Sequence, residues 1–122
     1  MERSKVKVGA RLLWVERPRW TGGSPTKKWI VVTKVGRRWA SFLPEGSRIE
    51  DRFDMDTFYV DGHGYSPRGR IYADEWEHEM AVEATETWAK FKAAAYRAGA
   101  VPDGMDAKDI MLIAKRLGLN LR

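Results

Sequence analysis

The sequence predicts an α+β domain in which a small antiparallel β-barrel of about five strands precedes a long and a short C-terminal α-helix. Three observations carry this. β-branched and aromatic runs alternate with Gly/Pro turns through the first half; a 3.6-residue apolar period sets in after residue 74; and 122 residues suffice for one core but not two. The expected organisation is one domain over 1–122, with a barrel half at 5–60, a connecting loop at 61–73 and a helical half at 74–121.

The first strand is read over Val6 to Val15, where Leu12-Leu13-Trp14-Val15 enters a core. Arg17, Arg19 and Trp20 extend beyond it into Thr21-Gly22-Gly23-Ser24-Pro25-Thr26, a turn-rich run that reads as a long exposed hairpin loop. Trp29 to Val35, the tight turn at Gly36-Arg37 and Arg38 to Leu43 form the clearest hairpin. After Pro44-Glu45-Gly46, short strands at Arg48 to Asp51 and Thr57 to Val60 complete a set whose spacing resembles an SH3-like barrel. Residues 61–69 hold three Gly and one Pro, too many for a regular element.

Asp74 and Glu77 have the spacing of a capping box, opening a helix that runs to about Arg97 before Gly99, or about 35 Å. Trp76, Met80, Ala84, Trp88, Phe91 and Ala95 share one face of it, which is expected to pack on the barrel or on a partner. Acidic residues gather at its start and Lys90, Lys92 and Arg97 at its end, complementing the helix dipole. Asp106 caps the shorter helix, whose Ile110, Ile113, Ala114 and Leu117 lie together and which ends at Gly118.

Composition narrows the function. With no cysteine there are no disulfides, thiolate nucleophiles or cysteine zinc sites, as suits a reducing cytoplasm. No apolar run reaches the about 20 residues that span a bilayer, so no membrane partner is expected. His63 and His78 lack the spacing of a helical zinc site, and Ser41, Ser47 and Ser66 have no nucleophile-elbow signature. No catalytic residue, metal or cofactor is expected, and the chain reads as a binder.

The net charge is +5, but its distribution says more than the total. Lys5 to Leu43 carries ten Lys or Arg against Glu16 alone. Basic residues interleaved with aromatics suit nucleic acid, where cations neutralise phosphates and rings stack on bases. The competing reading makes Trp14, Trp29 and Trp39 barrel core and the charges a solvated face. Trp20 fits a core poorly and is the first candidate for an exposed contact aromatic. The candidate contact set is Arg17, Arg19, Trp20, Lys27, Lys28, Arg37, Arg38, Arg68 and Arg70. Gly62-His63-Gly64 beside Arg68 and Arg70 could cradle an anion, but matches no nucleotide fingerprint, and loop conformations with positive φ are the favoured explanation of those glycines.

Gly9, Leu13-Trp14, Val32 to Ala40 and Gly64-Tyr65-Ser66-Pro67-Arg68-Gly69 resemble small phage and prophage proteins with a β-barrel domain. The resemblance covers roughly residues 6–72 and transfers no catalytic residue. It implies a mobile-element gene acting in the cytoplasm of a bacterial host, and an accessory role by binding host machinery, including inhibition of CRISPR systems and other defences. The expected partner is therefore a host protein or nucleoprotein complex, with direct DNA or RNA binding and homo-oligomerisation as alternatives.

Overall fold

The computed structural model describes residues 1–18 and 20–121. It forms two compact units, Met1–Glu83 and Ala84–Arg122. The first is a curled antiparallel sheet of β1 (Arg11–Glu16), β2 (Thr26–Val35), β3 (Trp39–Pro44), β4 (Asp51–Asp54) and β5 (Arg70–Tyr72), in spatial order β4-β3-β2-β1-β5. Residues 58–60 lie between the two outer strands: Phe53 bridges Val60, and Tyr59 bridges Arg70. The Val60 N–H donates to the Gly69 carbonyl at 2.9 Å and the Ile71 N–H to the Phe58 carbonyl at 2.8 Å. Both edges thus find backbone partners, which makes the sheet barrel-like. Helices α1 (Glu75–Ala98) and α2 (Ala107–Arg116) follow, so the fold is the α+β arrangement expected.

Several boundaries differ from the sequence reading, each for a local reason. The first strand begins at Arg11, because Gly9 at φ 88° turns the chain after a 3-10 turn at Arg3–Lys5. The strand read at Arg48 to Asp51 lies later, at Asp51–Asp54. Thr57 to Val60 makes isolated bridges only, with Phe58 at φ 62°. Residues 70–72, placed in the connecting loop, form β5 beside β1. Three residues carry no legible period, and only their pairing makes them a strand.

Inside the sheet, Leu12, Trp14, Ile30, Val32, Phe42 and Phe53 are buried. Trp14 meets Phe42 edge-on at 5.4 Å, and its indole N–H donates to the Arg68 carbonyl at 2.8 Å. Trp29 and Trp39, expected in the core, are only half-buried. Their neighbours Ile30 and Ala40 point inward, so strand alternation turns both indoles outward. Each is covered by arginine instead: Arg11 lies 4.1 Å from the Trp29 ring centre, and Arg52 and Arg38 lie 4.1 and 4.9 Å from that of Trp39. Trp14→Ala is expected to cost about 3–5 kcal/mol, and Trp39→Ala only about 1–2 kcal/mol, as read from urea midpoints.

The start of α1 belongs to the first unit. Asp74 accepts from the Glu77 N–H at 2.8 Å, and Glu77 reaches back to the Ala73 N–H at 3.2 Å and to the N-terminal amine at 3.1 Å. His78 packs edge-on against Tyr72 at 5.0 Å. Burial, and secondarily the Lys27 charge, push His78 below its ordinary value of 6.5. Because the folded state resists protonation there, stability is lost as pH falls below 6.5, until the folded histidine also titrates. His78→Gln should flatten the fall in urea midpoint between about pH 7.5 and about pH 5.5 relative to wild type.

The second unit contains the rest of α1 and all of α2. α2 opens on a full capping box, with Asp106 accepting from the Asp109 N–H at 2.9 Å and Asp109 from the Asp106 N–H at 3.0 Å. It closes at Gly118, φ 71°, where the Leu119 N–H returns to the Ala114 carbonyl at 2.8 Å. Among the described residues of this unit Ala114 is the buried one, while Met111, Leu112 and Leu119 stay exposed. No helix among the described residues is long and apolar enough to cross a membrane.

Candidate functional site

Two loops meet at one end of the sheet. The first joins β1 to β2 over residues 17–25, and the second runs from Asp61 to Gly69. Their approach is made by Gly69. It adopts φ 102°, and a Cβ there would stand 2.1 Å from the Val15 carbonyl oxygen and 2.9 Å from the Glu16 Cα. Only a residue without a side chain fits.

The second loop is held by charge. The Asp61 carboxylate accepts from the Arg52 Nε at 2.8 Å and from the His63 N–H at 3.0 Å, which holds it below the usual carboxylate range. Arg68 Nε donates to the Asp61 carbonyl at 3.1 Å, and its guanidinium pairs with the Asp51 carboxylate. Gly62 is needed for space, since a Cβ there would lie 2.2 Å from the Ser66 carbonyl oxygen. The chain therefore folds tightly back on itself and presents Tyr65 at its tip, 89% exposed.

Across from it the first loop presents Trp20, 71% exposed. The Gly23 N–H donates to the Trp20 carbonyl at 3.2 Å, and a Cβ on Gly23 would lie 2.9 Å from the indole Nε1 and 3.0 Å from the Pro18 Cβ. The ring thus rests against this bare turn. Between the loops lies an open cleft of about 670 Å³, lined by Arg17, Pro18, Trp20, Tyr65, Pro67 and Arg68 among others. Lys28 and Arg68 both lie over the buried Trp14 ring behind it, at 5.2 and 5.8 Å.

The nine candidate contact residues fall into separate places. Arg17, Trp20 and Arg68 line the cleft, and Lys28 stands beside it, paired with Glu16 at 2.7 Å. Lys27 and Arg70 both align with Val15, one on each neighbouring strand. Arg70 lies 5.6 Å from the rings of both Tyr59 and Tyr72. Arg37 and Arg38 are at the opposite end of β2, about 30 Å of extended chain from Lys27. Arg38 approaches Asp54 at 3.8 Å. Arg19 lies outside the described residues. Tyr65 is absent from the candidate set, although the same signal that marked Trp20, a large aromatic in a Gly/Pro-rich segment, applies to it.

The cleft is suited to binding. Two exposed rings and two prolines offer flat apolar faces, and Arg17, exposed and without an ion pair among the described residues, offers a free cation. Among the described residues no group of three or more His, Asp or Glu side chains could hold a metal ion. No curated protein and no solved structure matches the chain. Residues 1–118 match a family described as the Phage ProQ C-terminal-like domain, and the chain belongs to that family.

Proposed function

We propose that this phage-type small protein is a non-enzymatic binding module for single-stranded nucleic acid, working in the cytoplasm of the phage's bacterial host. Its curled sheet we read as a barrel of the SH3-like kind. The observation that carries the proposal is the cleft in which Trp20 and Tyr65 stand exposed beside the free Arg17. Unpaired bases have both ring faces open to stacking and a phosphate within reach of a cation, whereas a duplex hides those faces. Trp20 and Tyr65 act as stacking platforms; Arg17 and Lys27 neutralise phosphates.

The test is fluorescence anisotropy of labelled oligonucleotides. With about two phosphates contacted, log affinity should fall with log salt at a slope of about −1.4, and single strands should bind better than duplex. No binding at low salt, or binding indifferent to strandedness, would overturn this reading.

A second reading rests on how the cations are used. Arg11 pairs with Glu45, Lys28 with Glu16, Arg52 with Asp61 and Arg68 with Asp51. Among the described residues no unbroken stripe of free charge is left for a phosphate backbone, and an exposed aromatic with a polar rim also suits a pocket on a protein. On this reading the protein is an accessory factor that sterically inhibits a host nucleic-acid machine, such as a CRISPR effector. Capture from host lysate separates the two. A stoichiometric protein partner that survives nuclease favours inhibition, and nucleic acid lost on nuclease treatment favours direct binding.

A further inference from the structure

Arg37 and Arg38 lie at the end of the sheet away from the cleft, and the fold gives them company there. Residues 3–9 and 34–38 hold six Lys or Arg and no Asp or Glu. Backbone contacts bring these two segments together. Arg3 Nη2 donates to the Arg37 carbonyl at 2.8 Å, and the Gly9 N–H donates to the Val32 carbonyl at 2.8 Å. Val6 is buried in the core, which leaves its neighbours Lys5 and Lys7 outside. Of the six cations, Arg3 is taken up by Asp56 at 2.6 Å and Arg38 approaches Asp54 at 3.8 Å. Lys5, Lys7, Lys34 and Arg37 are exposed and have no ion pair among the described residues. Glu2, the nearest acid in sequence, accepts from the Ser4 hydroxyl at 3.3 Å.

We propose that this end of the barrel is a second binding surface, which holds the phosphate backbone of a nucleic-acid duplex. The proposal does not depend on the cleft, from which the patch is separated by the length of β2 and by cations already paired with acids. Free cations close together attract a polyanion, and the remaining surface narrows its kind. Trp39, the ring nearest in sequence, is half-buried under Arg38 and Arg52, so it offers no open face to a base. The patch can therefore read phosphates only. A duplex carries one phosphate charge per about 1.7 Å of its axis, twice the density of either strand alone, so it gains more here than a single strand does. A protein partner is the weaker fit. Val8 and Val35 are the exposed apolar side chains of these segments, too small to serve as the anchor that a protein interface needs. Three of the four free cations are lysines, flexible point charges that tolerate the varied geometry of a phosphate backbone.

The test is fluorescence anisotropy of the full chain with a labelled blunt DNA duplex, alongside a short single strand. The wild type should bind the duplex at low salt, more weakly than the single strand, and with about three phosphates contacted the log–log salt slope should be about −2.7. The triple variant K7A/K34A/R37A, all at exposed positions, should lose at least about tenfold in duplex affinity, keep its single-strand binding and keep its urea midpoint. W20A/Y65A should leave duplex binding within about twofold of wild type, since no ring takes part. Failure of the cleft would show only in the single-strand arm and would leave the duplex arm as expected. The proposal is overturned if the duplex does not bind at low salt, if the triple variant binds it as well as wild type, or if W20A/Y65A abolishes duplex binding, which would put the duplex in the cleft.

Discussion

Gly69→Ala is expected to be among the most damaging single substitutions in the barrel, costing on the order of 3–5 kcal/mol. Two penalties coincide at this residue. The backbone sits at φ 102°, and the added methyl would be driven to 2.1 Å from the Val15 carbonyl oxygen, a main-chain atom that cannot rotate aside. Gly22 is the matched control. It has φ 84° but nothing within 4 Å of its Cβ position, so Gly22→Ala should cost only about 1 kcal/mol. Urea midpoints at constant slope measure the pair. Equal, small effects would mean that the two loops do not meet as described. Because Gly69 fixes the approach of the second loop to β1, the same change should also open the cleft.

Trp20→Ala and Tyr65→Ala should do the reverse. Both rings are largely exposed, so each loss should leave stability within about 0.5 kcal/mol of wild type. Each should weaken binding of a single-stranded oligonucleotide about 10- to 100-fold, the worth of one base stacked on one ring. Arg17→Ala should lower affinity less and reduce the salt slope by about 0.7. That split, rings acting on affinity at any salt and the cation on salt dependence, distinguishes stacking from simple charge attraction. Should the rings affect stability instead, they belong to the packing of the two loops.

How far the sequence foretells this arrangement depends on the range of the interaction. The hairpin about Gly36, the caps at Asp74 and Asp106 and the turn at Gly118 are set by residues within a few positions of one another, and all are read correctly. Trp29 and Trp39 have aromatic and β-branched neighbours that look like core, yet alternation with Ile30 and Ala40 puts them outside. Two of the three arginines that cover them come from other strands: Arg11 is paired with β2 through the sheet, and Arg52 reaches Trp39 from β4, while Arg38 is the sequence neighbour of Trp39. Much of the basic and aromatic interleaving is thereby used within the fold, which only tertiary structure reveals. Likewise, Arg68 is 17 residues from Asp51, and no local pattern announces that its charge is compensated. Trp20 stands out in sequence because its surroundings forbid a core role; Tyr65 obeys the same logic but is hidden among glycines that read as mere connection.

The most direct test of the central claim is titration of a labelled single-stranded oligonucleotide with the wild type and with the W20A/Y65A double variant, at low and at near-physiological salt. The account predicts salt-dependent binding by the wild type and its near-complete loss in a double variant whose urea midpoint is unchanged. Wild-type binding that the double variant retains in full would contradict it, because nucleic acid would then be held by some other surface than this cleft.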